Sequence, residues 1–283
     1  MKKIIDVSEH NGTLELDKAS KSVDGIIARC SWGWGNDQID KQWQSNASQA
    51  DRLGIPFYAY HFAYARNAEE AKKEAQLALS ACKNHKVDLI YYDLESSDFQ
   101  GDLTCDEYYT IAKAFCDTIE SQGYPVGIYA NENYFRTKLT NQGFSKWTLW
   151  LANYGNNDGT DNWNGELKFN PFGHVLLHQC TSNAKNGLLK NIKGINSKFL
   201  DCSIDHGLLS TFNGRTEITE TTISYSSTVK VNKGATWFDG TGIASFVYDL
   251  DYQVLEIQNE RVVIGRNGQV TGAIDINDLT LVK

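Results

Sequence analysis

FYAYHFAYARNAEEAKKEAQLALSACKNHKVDLIYYDLE, residues 57–95, reads as a strand, a helix and a second strand in succession. Phe57–Phe62 is rich in aromatic groups, which suit a pleated surface. Ala68–Lys83 carries Ala71, Ala75, Ala78, Leu79 and Cys82, the three-and-four spacing of an amphipathic helix. Leu89–Asp93 is again a short β-rich run. Such a unit joins parallel strands through a crossover helix. The same rhythm extends both ways, with strands expected at Ile4–Val7, Gly25–Cys30, Val126–Tyr129, Thr148–Ala152, Val175–Gln179 and Phe199–Ser203. A second helix is expected over Glu107–Gly123, where Ile111, Ala114, Phe115 and Ile119 share a face and Gly123 stops the run. Eight strands in this order imply a closed α/β barrel. Residues 155–173, GNNDGTDNWNGELKFNPFG, are too rich in Gly, Asn and Asp for a covering helix, so the last three strands should lack regular outer helices.

The whole chain of 283 residues has room for one large domain or two. Its 41% hydrophobic content supports a sizeable core and argues against disorder. No apolar run reaches the ~20 residues of a membrane helix, so no membrane insertion is expected. The opening Met1-Lys2-Lys3-Ile4-Ile5-Asp6 meets an acid after two apolar residues, so no signal-peptide core is expected. A net charge of −8 speaks against a nucleic-acid partner. Six cysteines without a C-x-x-C pair read as reduced, mostly buried thiols.

Composition changes near Asn213. Residues 213–227, NGRTEITETTISYSS, read as a linker. The expected boundaries are a barrel over 1–210, a linker over 211–227 and a small all-β domain over 228–283. In the last, strands are expected at Ser227–Val231, Ala244–Tyr248, Gln253–Ile257, Arg261–Ile264 and Ala273–Ile276, with Asn267-Gly268 as a hairpin turn.

A barrel of this kind carries its site at the C-terminal strand ends. Those ends hold Asp6, Tyr60-His61, Asp93-Leu94-Glu95, Tyr129, Asn153-Tyr154 and His178-Gln179, with Asp201 on the last strand. Acids and aromatics without a basic cluster suit a neutral, hydroxyl-rich substrate such as a sugar. The strand period of two puts Tyr91, Asp93 and Glu95 on one side. Two neighbouring carboxyls do not both ionise cheaply, so one holds its proton, as a general acid requires. Glu95 reaches further past the strand and is the better acid. Asp6 alone reads equally as a turn cap, and Asp201 competes with Asp205 for one role. His10, His61 and His178 lack metal-ligand spacing, so neither metal nor cofactor is expected. Ser8 and Ser31 lack a nucleophile-elbow context.

Taken together, Ile5-Asp6-Val7-Ser8-Glu9-His10-Asn11-Gly12, Tyr60-His61-Phe62, Asp93-Leu94-Glu95, Trp150-Leu151-Ala152-Asn153-Tyr154 and Gln179 resemble the motifs of glycoside hydrolase family 25, the Chalaropsis-type muramidases. The resemblance covers roughly residues 1–208. It implies an irregular TIM-like (β/α)5β3 barrel and endo-hydrolysis of the β-1,4 bond between N-acetylmuramic acid and N-acetylglucosamine. It assigns Glu95 as acid and Asp93 to the substrate's N-acetyl group. Asp6 goes to charge at the scissile sugar, and Asp201 completes the acidic set. Tyr60, His61, Tyr129, Trp150, Asn153 and Gln179 become substrate contacts. Two stretches depart from the family pattern, Leu200-Asp201-Cys202-Ser203 and Leu177-His178-Gln179-Cys180.

The tail resembles a bacterial SH3-type wall-binding module at Ala235-Thr236-Trp237-Phe238-Asp239-Gly240 and Ala273-Ile274-Asp275-Ile276. Trp237, Tyr248 and Tyr252 are its candidate contacts, each equally readable as core. The combination resembles a phage endolysin made in the bacterial cytoplasm and released through a holin lesion, with peptidoglycan strands and a wall ligand as partners. Three competing readings are a non-catalytic carbohydrate binder, a metal-dependent hydrolase built on Asp6, Asp93, Glu95 and His61, and a bacterial autolysin.

Overall fold

The computed structural model describes residues 2–154, 166–182, 192–197, 199–205, 223, 227–258, 260–266 and 269–282. The chain divides into two compact units, Met1–Arg215 and Thr216–Lys283. Most of the expected linker lies outside the described residues.

The first unit is a closed barrel of β1 (Lys2–Val7), β2 (Gly25–Trp32), β3 (Phe57–Phe62), β4 (Ile90–Asp93), β5 (Val126–Asn131), β6 (Thr148–Ala152), β7 (Val175–Thr181) and β8 (Asp201–Asp205), in that order around the ring. β1 to β7 pair parallel, each with the next. β8 runs antiparallel to both β7 and β1, unlike the strands that a crossover helix joins. The cause is the connection. A parallel return needs a crossover to the far end of the barrel. The chain leaves β7 at the mouth and re-enters β8 at the mouth, with no α-helix among the described residues between them.

Outer helices follow the first five strands: α1 (Leu16–Ala19), α2 (Trp43–Leu53), α3 (Ala68–Cys82), α4 (Ser97–Gln100) with α5 (Cys105–Glu120), and α6 (Glu132–Thr137). α3 and α5 lie where the apolar spacing places them. α5 starts two residues early because Thr104 and Glu107 form a reciprocal capping box. α2 was not expected. Its buried face, Trp43, Asn46, Ala47 and Ala50, has helical spacing but is too small and polar to stand out. Residues 155–165 of the glycine- and asparagine-rich stretch are outside the described residues. The rest of that stretch holds only a short 3-10 turn, Pro171–Gly173.

Strand parity sorts the side chains. Ile4, Ile27, Tyr58, Leu89, Tyr91, Tyr129, Trp150 and Leu177 fill the interior of the ring. Their neighbours Ile5, Ile26, Phe57, Ile90, Tyr92, Ile128 and Leu149 face the helices in a larger apolar layer. Gly127 makes room for the inner packing, since a Cβ there would clash with the Tyr91 ring and the Thr148 carbonyl. None of the six cysteines forms a disulfide, and five are buried. No helix among the described residues is long and apolar enough to cross a membrane.

The second unit is a five-stranded antiparallel sheet in the order β12-β11-β10-β9-β13. Its strands are β9 (Thr228–Val231), β10 (Asp251–Gln258), β11 (Arg261–Arg266), β12 (Gln269–Asp275) and β13 (Leu279–Leu281). Val229, Val254, Val262, Ile264 and Ile274 form its core. The strand expected at Ala244–Tyr248 is instead a 3-10 turn, Ser245–Asp249. Alternation misleads there, because Val247 is buried while Phe246 is 65% exposed. Asn267 and Gly268 lie outside the described residues, although β11 and β12 pair antiparallel on either side of them.

Candidate active site

The inward parity of the barrel ends, at its mouth, in carboxyl groups. Asp6 closes the interior side of β1, Asp93 ends β4, Glu95 lies two residues further on, and Asp201 opens β8. Because β8 is antiparallel, its first residue and not its last stands at the mouth, where Asp201 is in register with Asp6. Asp205 is paired with Lys2 at the opposite end of the ring, which separates the two acids that competed in the sequence. All four carboxyls line an open cleft of about 670 Å³, together with Tyr60, Tyr129, Trp150 and Gln179.

Crowding and burial set the protonation of this cluster. Burial, then the charges of Asp201 and Glu95, push Asp6 well above the ordinary carboxylate range. Burial, then Glu95 and Asp6, do the same to Asp93. Burial raises Glu95, and the neighbouring Tyr129 hydroxyl opposes that rise. Burial and the Glu95 charge lift Asp201 to about 7. Like charges this close do not all ionise, so the cluster retains protons at neutral pH. Arg29 is the only lysine or arginine among the described residues lining the cleft. Glu9 and Asp40 hold it at 2.9 Å each, and its charge lowers Asp6 and Asp93 without offsetting the cluster.

Polar and aromatic groups organise the acids. Gln179 Nε2 donates to Asp6 Oδ2 at 2.9 Å. Gln179 Oε1 accepts from Tyr129 at 2.9 Å and from Tyr154 at 2.6 Å. Trp150 forms the floor, only 1% exposed. Its Nε1 donates to Ser203 Oγ at 3.0 Å, and its ring lies 4.3 Å from that of Tyr129. Asp93 Oδ1 is buried without a hydrogen-bond partner, an acceptor aimed at nothing in the chain itself. Among the described residues, no three His, Cys, Asp or Glu side chains are arranged to hold a metal ion.

Two expected contacts lie elsewhere. His61 follows Tyr60, so parity turns it outward into the layer under α3, where it is fully buried. Its Nδ1 shares a 2.8 Å hydrogen bond with Ser31 Oγ, and its Nε2 is 3.7 Å from Glu74. Burial opposes its charge, but the Cys30 thiol and Glu74 lift it to about 8. Replacing His61 with alanine is expected to cost about 2–3 kcal/mol of stability and to leave kcat/KM of the folded protein within about twofold. Denaturant melts and kinetics on the same sample check both. Asn153 also misses the cleft lining, because it lies beyond the end of β6 and its amide bonds the Glu132 carboxylate.

Sequence reading overlooked an aromatic wall on the β3–β4 side. Tyr64 and Phe99 stack at 4.1 Å beside Phe62, with Phe99 42% exposed. The remaining signal was Phe62-Ala63-Tyr64, which continues the inward parity of β3 past its end.

In the second unit, Trp237, Phe238, Asp275 and Asp278 line a separate cleft of about 480 Å³. Gly272 lets the Trp237 ring lie on β12, since a Cβ there would overlap it. Tyr252, a candidate contact equally readable as core, is 3% exposed and belongs to the core. Tyr248 packs against that core and donates its hydroxyl to Ala235 O at 3.0 Å.

Several solved structures share this fold. The modular autolysin LytC from Streptococcus pneumoniae is 27% identical with a TM-score of 0.59, over 71% of this chain and 46% of that one. The CTP1L endolysin is 26% identical with a TM-score of 0.61, over 75% of this chain and 69% of that one. The catalytic domain of endolysin ply40 from bacteriophage P40 of Listeria monocytogenes is 24% identical, with a TM-score of 0.58 over 76% of this chain and 98% of that domain. The chain thus spans less than half the length of LytC. No curated protein matches. The family model for Glycosyl hydrolases family 25 matches residues 5–183, a span that holds Asp6, Asp93, Glu95 and Gln179 and stops before Asp201. With a match over well more than half its length, on a closed barrel whose acids meet at one mouth, the chain belongs to glycosyl hydrolase family 25.

Proposed function

We propose that the chain is an N-acetylmuramidase that cuts the β-1,4 bond between N-acetylmuramic acid and N-acetylglucosamine within peptidoglycan strands. The observation that carries this reading is the ring of four carboxyls at one mouth, all biased towards holding protons. A protonated, half-buried Glu95 is suited to give its proton to the glycosidic oxygen. The unpartnered Asp93 Oδ1 suits the N–H of a 2-acetamido group and would turn its carbonyl oxygen towards C1. That oxygen attacks as the C1–O bond breaks, and the positive charge is balanced by Asp6 in its ionised form, which the Gln179 N–H favours. Water then opens the cyclic intermediate after losing a proton to Glu95, so the configuration at C1 is retained.

The test is digestion of purified peptidoglycan followed by borohydride reduction and mass spectrometry. Muramitol ends are expected. Reduced N-acetylglucosamine ends would mean a glucosaminidase, and new free amino groups a peptidase or amidase. An inverted product would overturn the acetamido route.

The tail we assign as an SH3-like wall-binding module, with Trp237 and its cleft as the contact surface. Its support is the compact five-stranded sheet in the second unit. Tethering to an insoluble wall raises the local concentration of the barrel. Deleting residues 216–283 is expected to leave hydrolysis of soluble fragments within about twofold and to weaken sedimentation with walls by about tenfold or more. Equal sedimentation without the tail would refute its role. The CTP1L endolysin among the structural relatives supports reading the chain as a phage enzyme, which we propose reaches the wall through a membrane lesion. An autolysin would use the same chemistry.

A further inference from the structure

The Gln179 side chain is 1% exposed and joins three groups at the mouth of the barrel. Its Nε2 donates to Asp6 Oδ2 at 2.9 Å, while its Oε1 accepts from both Tyr129 at 2.9 Å and Tyr154 at 2.6 Å. Two phenols fill both lone pairs of the amide oxygen, so the N–H side is committed to Asp6. The Tyr129 hydroxyl has a second neighbour in Glu95, which lines the same cleft and whose ionised form it favours. Backbone geometry enforces the proximity. Asp93 is in register with Tyr129, and Leu94 N donates to Tyr129 O at 2.9 Å. A phenol has one proton to donate, so Tyr129 serves Gln179 or Glu95 but not both.

The geometry points to Gln179 as a positioning residue that couples Asp6 to Glu95, fixing Asp6 as an acceptor and keeping the Tyr129 hydroxyl occupied until Glu95 has released its proton. This rests on the acid role of Glu95 given above. Before cleavage Glu95 carries its proton and Tyr129 donates to Gln179 Oε1. As the Glu95 proton moves to the leaving oxygen, the C1–O bond breaks and its electron pair leaves with that oxygen. Tyr129 keeps its own proton and rotates it to the new carboxylate, while Tyr154 still satisfies Gln179. When Glu95 takes a proton from the attacking water, Tyr129 returns to Gln179.

Asp6 faces Asp201 from β8, Asp93 and Glu95 beside β4, and Arg29 from β2. The phenols of Tyr60, Tyr129 and Tyr154 surround it without charge. Within that set Gln179 is the hydrogen-bond donor that favours ionised Asp6.

Two readouts test the coupling, one without turnover. In carboxyl NMR titrations of the full chain, Gln179→Leu should move the Asp6 midpoint up, and Glu95, now given the Tyr129 donor permanently, down, each by about one pH unit. The pH profile of kcat should narrow from both sides. Gln179→Glu restores the acceptor for the phenols but not the donor to Asp6, so its acidic limb should rise and its alkaline limb should not fall. Tyr129→Phe removes the donor to Glu95, so its alkaline limb should rise. Midpoints within about 0.3 unit of wild type in Gln179→Leu and Gln179→Glu would overturn the inference, whatever the loss of rate. Shifted midpoints in the variants, with no muramitol ends from wild type, would leave the coupling standing and remove the muramidase reading.

Discussion

Glu95→Gln is expected to lower kcat on soluble glycan fragments by about 10²–10⁴-fold, the range a positioned general acid supplies. KM should stay within about twofold, because the amide keeps the shape and most of the hydrogen bonding of a protonated carboxyl. Steady-state kinetics on the purified variant check it, and retention of more than about a tenth of the rate would remove Glu95 from the acid role. The substitution has a second consequence. The Glu95 charge is among the groups that raise Asp6, Asp93 and Asp201. All three should therefore titrate lower in the variant, and thermal stability above neutral pH should rise as activity falls.

Asp201→Asn carries the largest expected effect on stability. Asp201 titrates near 3.8 when unperturbed and at about 7 in the fold. Between those values the folded state binds more protons than the unfolded state, so stability falls as pH rises from about 4 to 7. The full swing corresponds to about 4 kcal/mol at 1.36 kcal/mol per unit, and relaxation of the neighbouring acids places the expected net effect at about 2–4 kcal/mol. An asparagine does not titrate. The variant should match wild type near pH 4 and exceed it by that amount at pH 8, as read by urea melts at the two pH values. A constant difference across the range would mean that Asp201 is not destabilised by ionisation in the fold. On the proposed muramidase reading, hydrolysis should fall in the same variant, since this acid serves function at the expense of stability.

These effects arise from a cluster that was only half legible in the chain. The period of two in Tyr91-Tyr92-Asp93-Leu94-Glu95 placed both acids inward without any structure, and the β3 and β6 spans fall where aromatic and apolar runs mark them. The same parity was available for Tyr60-His61. It turns His61 away from the cleft, although His61 stands at the same strand end as Tyr60. Asn153 failed differently. It stands beyond its strand, where parity no longer orients a side chain.

Strand direction was the other illegible property. The residues of β8 suit a parallel or an antiparallel neighbour equally, and what decides is the route of the preceding connection. Gln179 was visible as a strand-end polar group, but its three partners are 173, 50 and 25 residues away in the chain. Local pattern carries no trace of such pairings. In the tail, burial of Tyr252 depended on which face of β10 met the core, and an aromatic residue beside polar neighbours suits either.

The antiparallel last strand also has a meaning for biosynthesis. Until β8 pairs, β1 and β7 present open edges, and Asp6 lacks the register partner that brings the fourth acid. A ribosome must deliver 201 residues before that partner exists, and every inter-strand bond that closes the ring comes after it. Contacts of such long sequence separation form late because chain closure must come first. A nascent barrel is accordingly a sheet with an incomplete mouth. On the proposed muramidase reading, the catalytic mouth is completed in the same event as topological closure.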